Sequence, residues 1–384
     1  MIPLAVPDLT GNEAPYLQEC IRSTFVSSVG PFVDRFEAMV AEAAGSVRAV
    51  ATSAGTTGLH AALTAVGVGR DDLVILPAYT FIGSANAVAH CGALPWLLDV
   101  DREGWNLDPE RLEVELCQRT ERRGENQVVH RPTGRRVAAV MPVHVLGTPA
   151  DMDAIVAIAR RHGLPVVADG AAALGARSHG RPVGRLGADL TVFSFNGNKT
   201  VTCGGGGAVA GDDPALLDLV RHLTTTARHG EDYDHDRVGF NYRMTNIQAA
   251  VGCAQMERLA DLVAAKRRIR ARYDAACQDL PGVTPFPVPE WAESACWFSG
   301  CLLPETMDPE SIRRLHHAFR EAGIAVRSFW KPLHDQVPYR DAPRTLLPVS
   351  ETIAPRILTL PCSSGLTEAE QDQVIVTTRS LLSS

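Results

Sequence analysis

The segment Leu190-Thr-Val-Phe-Ser-Phe-Asn-Gly-Asn-Lys199 decides how the rest of the chain is read. Apolar and β-branched residues lead into the polar turn Asn196-Gly-Asn198, and one lysine stands at its end. Thr-Val-Thr-Cys follows, then the four glycines Gly204 to Gly207, a run that reads as flexible rather than chosen for packing. A lysine presented at the lip of a strand suits covalent chemistry with a carbonyl. It equally suits a plain surface loop, and this stretch alone leaves the two readings even.

Working outward, 384 residues are enough for a large core and for two domains. With 45% hydrophobic and 21% charged residues the composition is that of an ordinary globular protein. A net charge of −7 leaves no global basic field to recruit nucleic acid. The nine cysteines are scattered, with no CxxC pair and no Cys/His ligand spacing, so free thiols in a reducing compartment and no metal are expected. The N-terminus lacks a basic start and a long apolar run. The uncharged span Leu73 to Leu98 is interrupted by two prolines, two glycines, Asn86 and His90, which argues for strand, helix and strand and against a membrane helix. A cytoplasmic protein is the expectation.

Strands and helices alternate along the first two thirds. Expected strands are Val47 to Thr52, Leu73 to Leu76, Pro95 to Val100, Val137 to Val143 and Pro165 to Ala168. Helices are expected over Val33 to Ala44, Leu59 to Val66, Gly83 to His90 and Ala150 to Arg161, with one long helix from Met244 to Arg272. The charged stretch Gln118 to Arg136 reads as an exposed loop or insertion. This rhythm predicts an α/β fold, a mostly parallel central sheet covered on both faces. Beyond Leu280 proline becomes frequent, and a smaller α+β unit with strands Cys296 to Leu303, Ile324 to Phe329 and Arg356 to Leu360 is expected.

Four features fall at strand ends of that sheet, where open α/β folds bind ligands. Gly55-Thr56-Thr57 opens a helix, whose N–H groups and dipole suit a phosphate. Ser194 would add a hydroxyl to that cup. Asp169 ends a buried strand, where a carboxylate pairs with a protonated heterocycle nitrogen. Lys199 is the fourth. Singly they also read as a helix cap, a core serine, a turn cap and a surface lysine. Together, in this order, they describe a pyridoxal phosphate site.

At this point the chain resembles the DegT/DnrJ/EryC1/StrS family of pyridoxal-phosphate-dependent nucleotide-sugar aminotransferases, nearly end to end. The resemblance rests on Ala54-Gly-Thr-Thr-Gly-Leu-His60, Pro77 to Phe81, Pro142 to Gly147, Phe193 to Lys199 and Gly239 to Ala250. It implies the aspartate-aminotransferase fold (type I), with a large cofactor domain over residues 1–255 and a small C-terminal domain over 256–384. It also implies that Phe81 stacks on the cofactor ring, and that Asn241 reaches across a homodimer to the partner's phosphate. Asn196 to Lys199, His222 to Thr225, Trp330-Lys-Pro-Leu-His334 and Leu360 to Thr367 are similar to enzymes that aminate C4 of UDP-4-keto-6-deoxy-N-acetylhexosamines, of the bacillosamine and legionaminic acid type. Where the family carries Gln, His or Glu three residues after the aspartate, against the cofactor ring, this chain has Ala172.

The activity so implied is transfer of an amino group from an amino acid, glutamate by resemblance, to a keto-sugar, with Lys199 as both covalent anchor and proton carrier. Arg243, Arg327, Lys331 and His334 are candidates for the substrate's diphosphate or the donor's carboxylates, against ordinary surface ion pairing. A cyclitol or other natural-product ketone is the alternative acceptor. A non-catalytic cofactor-binding regulator is the alternative from another class.

Overall fold

The computed structural model describes residues 1–124 and 127–383. Four strands form one sheet in the order Arg48–Thr52, Gly207–Gly211, Leu190–Ser194, Val167–Asp169. A second runs Leu94–Leu98, Leu73–Pro77, Arg135–Val140, then the hairpin Gln127–His130 and Thr120–Arg123. Parallel bridges from Val140 to Val166 and from Val143 to Asp169 join the two, so the core is one continuous sheet. Along it Gly207–Gly211 runs antiparallel to both neighbours, and the pairings from Leu190–Ser194 across to Leu94–Leu98 are parallel. Leu73–Pro77 is buried along its whole length, as a strand covered on both faces must be. Gly55–Ala65, Ile82–His90 and Met152–His162 make the crossovers.

Local chemistry sets the ends of these helices. Asp151 Oδ1 accepts the Ala154 N–H at 3.1 Å, and Gly163 closes the same helix in the left-handed region at φ +69°. Asp108, Asp213 and Asp308 each cap a helix whose first turn holds proline.

The strand and helix rhythm appears as expected, with three corrections. The stretch Gln118 to Arg136 is no irregular loop: it ends the helix Pro109–Arg119 and folds back as a hairpin whose Thr120, Val128, Val129 and His130 are buried. Its charge density hid this short alternation, and Trp96 packs on His130 at 4.2 Å between ring centroids. Glu125 and Asn126 within it lie outside the described residues. The helix expected from Met244 to Arg272 is two, Asn246–Met256 and Leu259–Cys277. They part where Glu257 accepts hydrogen bonds from Asn12, Tyr16 and Arg35, and Arg258 pairs with Asp8, contacts that no helical period displays. The strand expected from Ile324 to Phe329 shrinks to Arg327–Ser328: Ile324 and Ala325 pair instead with Ile2, and Phe329 joins Arg327 and Ser328 on the wall of the cavity described below.

In the C-terminal third, an antiparallel sheet runs Thr284–Pro285, Ser299–Leu302, Ile357–Leu360, Arg327–Ser328. Its apolar cluster takes Ile269, Phe298, Phe319 and Leu360 together with Tyr79, Trp105 and Val145 from the first half of the chain. The loops after the parallel strands therefore meet this sheet, and the site opens between them. All nine cysteines are unpaired. Glu113, Cys117 and His162 bring ligand atoms within 4.8 Å, a juxtaposition of two helices with no sequence spacing to announce it, but Arg161 already holds the Glu113 carboxylate. Among the described residues no helix is long and apolar enough to cross a membrane.

Candidate active site

Lys199 leaves the end of Leu190–Ser194 through a turn closed by its own N–H to Asn196 O at 2.9 Å. Trp297 fixes this turn from the C-terminal third: its indole N–H donates to Asn198 O at 2.7 Å, and Lys199 Nζ stands 3.4 Å from the ring centroid. Trp297 is itself pinned, since the buried Lys266 Nζ donates to its carbonyl at 3.1 Å and to Cys362 O at 2.5 Å. Burial pushes the Lys199 amine down from 10.5 to about 7, against the pull of Asp169.

The last two glycines of the run, Gly206 and Gly207, have a packing reason, which corrects the reading of them as free flexibility, while Gly204 has no close neighbour. A Cβ on Gly207 would lie 2.5 Å from Ala54 O, so only glycine lets the strand pass beneath the N-terminus of Gly55–Ala65. Gly55 has the same constraint toward Ser194, whose Cβ is 2.8 Å from where its own would stand. The backbone N–H groups of that helix start and the Ser194 side chain thus line one pocket wall. Thr57 Oγ1 accepts the Ala54 N–H at 3.0 Å as the structural cap, and Thr56 faces the cavity.

Asp169 is buried at the end of Val167–Asp169. Its Oδ2 accepts from Ser84 Oγ at 2.7 Å and its Oδ1 from the Ala171 N–H at 3.0 Å. Ser84 Oγ in turn lies 3.0 Å from Thr80 Oγ1. Burial raises the Asp169 carboxyl above its ordinary value, with Ser84, Ala171 and Lys199 acting the other way.

One cavity of about 510 Å³ gathers Gly55, Thr56, Phe81, Asp169, Ala172, Ser194, Lys199 and Arg327. Phe81 is 55% exposed at its mouth, a large aromatic face left uncovered by the chain itself. The remaining candidates lie elsewhere. Asn241 is exposed, bridged by its backbone to Thr225 between the stacked rings of Phe240 and Tyr242. Arg243 donates to Ser28 O at 2.6 Å beside a separate cavity of about 150 Å³. Lys331 and His334 line a neighbouring cavity of about 420 Å³, where His334 Nε2 lies 3.4 Å from the Glu351 carboxylate. That second cavity shares Ser328, Phe329 and Trp330 with the first.

Sequence reasoning missed Ser84, Thr80, His144, Trp297, Phe329 and Trp330, all in or against the main cavity. Ser84 was detectable in principle, being one turn into the helix after Phe81. The aromatics read as ordinary core.

The donor set fits pyridoxal phosphate. An anion cup at a helix N-terminus, a buried carboxylate and a depressed lysine line one space, and about 510 Å³ suits a ligand of that size plus substrate. A model of the DegT/DnrJ/EryC1/StrS aminotransferase family matches residues 7–379. The chain belongs to that family. It is a pyridoxal-phosphate-dependent aminotransferase. Among curated relatives, GDP-perosamine synthase of Caulobacter vibrioides is 39% identical, over 97% of this chain and 96% of its own. The putative pyridoxal phosphate-dependent aminotransferase EpsN of Bacillus subtilis is 34% identical, over 97% and 94%. Of solved structures, the aminotransferase TlmJ of Streptoalloteichus hindustanus superposes with a TM-score of 0.88 at 29% identity, over 100% of this chain and 99% of that one. A family member from Brucella abortus gives 0.87 at 29% identity, over 97% and 96%.

Proposed function

We propose that this aminotransferase moves an amino group from glutamate to the carbonyl of a nucleotide-linked 4-keto-6-deoxy sugar. The observation that carries it is the gathering of Lys199, Asp169 and the Gly55–Ser194 cup on one cavity, in a chain whose relatives include GDP-perosamine synthases. Those names put a GDP-linked sugar ahead of the UDP-linked N-acetyl sugar that the short motifs suggest.

Bound here, pyridoxal phosphate supplies an electron sink for the pair left when a proton leaves carbon. The chain's own residues do the rest. The N-terminus of Gly55–Ala65 and Ser194 hold the phosphate, and Phe81 covers one ring face. Asp169, fixed by Ser84 and the Ala171 N–H, keeps a proton on the ring nitrogen. Lys199 Nζ takes the α-proton of the donor and later delivers one to the sugar carbon that gains the amine. Arg327, on the cavity wall, meets the anionic end of donor or sugar. We assign residues 1–255 to the cofactor-holding unit and 256–384 to a smaller unit that closes the cavity.

Incubation with glutamate and GDP- or UDP-linked 4-keto-6-deoxy sugars, followed by mass analysis, should yield an amino sugar about 1 Da heavier than the keto-sugar supplied, because C=O becomes CH–NH2. Bleaching by glutamate with no product from any such sugar overturns the acceptor and leaves the aminotransferase.

The lysine gives a pH test. An amine whose proton leaves at about 7, against the ordinary 10.5, is neutral over most of the range above pH 7. Cofactor uptake by the apoprotein should therefore quicken as pH rises through about 7 and level off beyond it. A rate still climbing at pH 10 would mark an ordinary exposed lysine.

The active unit is a homodimer in which Asn241 serves the partner's site. Its exposure and its absence from the lining of its own cavity support this. Lys199→Ala and Asn241→Ala are each expected to be impaired, yet unfolding and refolding them together should restore about a quarter of the sites, since half the dimers are mixed and each mixed dimer keeps one intact site. No recovery in a mixture shown to contain mixed dimers would place Asn241 outside the partner's site.

A further inference from the structure

His144 is the buried group that the proposed chemistry leaves unused. It follows the bridge of Val143 to Asp169, and its N–H donates to Asp169 O at 2.9 Å. Its ring is 1% exposed. Nδ1 accepts the Ala150 N–H at 3.0 Å, which puts the ring proton on Nε2. Nε2 has no partner in the chain, and His144 lines the cavity that holds Lys199 and Asp169. Of the side chains with a buried, unpartnered polar atom among the described residues, it is the one on that wall. A buried donor on the wall of this cavity that no group of the chain satisfies is a donor kept for a ligand.

The order of strands says which part of the ligand. Leu190–Ser194 and the cup lie on one side of Val167–Asp169, and Val140 to Val143 lie on the other. With its nitrogen on Asp169 and its phosphate arm toward Ser194, a pyridoxal ring turns its phenolic oxygen away from the cup, toward His144. Ala171 and Ala172, continuing from Asp169, offer only methyl groups there. We infer that His144 Nε2–H donates a hydrogen bond to the phenolic oxygen of the bound cofactor. This rests on the cofactor placement proposed above. Burial keeps the imidazole neutral down to a pKa of about 4, so it remains a donor throughout the working range.

A donor at the phenolic oxygen favours its anionic form, so it lowers the pH at which the holoenzyme's visible absorption changes. Asp169, Lys199 and Arg327 are the other charged groups on this cavity, and they stay the same in every variant below. In His144→Leu the absorption midpoint should rise by about one pH unit, and cofactor should dissociate about tenfold more readily. His144→Gln, whose amide N–H reaches as far as Nε2, should keep both near the parent. If His144 merely supports Ala150, the leucine variant melts earlier with an unmoved midpoint, and the inference is overturned. Should His144→Leu fail to fold, Ala172→Gln reads the same edge: a second donor there should lower the midpoint and slow cofactor loss, and no movement overturns the inference. A parent protein that takes up no chromophore fails the cofactor placement itself, a result distinct from all of these.

Discussion

Lys199→Met is expected to lower turnover by at least ~10⁴-fold, the upper range for one group that serves as acid and base, while the protein still takes up pyridoxal phosphate. Methionine keeps the apolar stem against Trp297 and removes only the amine, so the turn held by the Trp297 indole and Asn198 O should survive. The amine is needed twice, as the atom that bonds the cofactor aldehyde and as the carrier between donor and acceptor carbons. The other charged groups on the cavity do not replace it: Asp169 is committed to Ser84 and the Ala171 N–H, and Arg327 does not release its own proton. Steady-state turnover with the best keto-sugar measures the loss, and added methylamine should return a small part of it. A variant as fast as its parent would remove the central claim.

How far this was legible in the sequence depended on whether chemistry was local. The apolar run at Leu73 and the helical period from Ala150 to Arg161 declare their structure within a few residues, and a buried strand Leu73–Pro77 and a helix Met152–His162 stand there. Lys199, Asp169, Gly55 and Ser194 could be named because each sits where a strand hands over to a turn or helix, a position the alternation of elements predicts. What was not legible was assembled across the chain. Trp297 lies 98 positions from Lys199 as the sequence counts, and nothing in Cys296-Trp-Phe-Ser299 says that one ring faces a lysine. Ser84 reads as a small helix residue until Asp169 is brought to it. The break at Glu257 and Arg258 is set by partners in the first 35 residues, which periodicity cannot weigh. The basic residues Arg243, Lys331 and His334 could be named but not placed, because charge marks affinity for anions and only the fold says which cavity a charge faces.

Asp169→Ala is expected to cost about 10³-fold in turnover, the loss seen when one preorganised group is removed from developing charge. The effect follows from where the proton sits. A ring nitrogen that keeps its proton draws the donor's electrons away from carbon, and a buried carboxylate beside it is what keeps that proton in place. Ser84 allows a finer test of the same idea. Asp169 serves only when ionised, so kcat/KM should fall as pH drops through its pKa, which burial has already raised. The Ser84 hydroxyl stabilises the charged form, so Ser84→Ala should raise that pKa further and carry the acid limb of the profile to higher pH. At neutral pH the Ser84 variant should stay close to its parent, whereas Asp169→Ala should be slow at every pH. An acid limb that stays put when Ser84 is removed would mean that some other group, and not the carboxylate at the end of this strand, governs protonation of the ring.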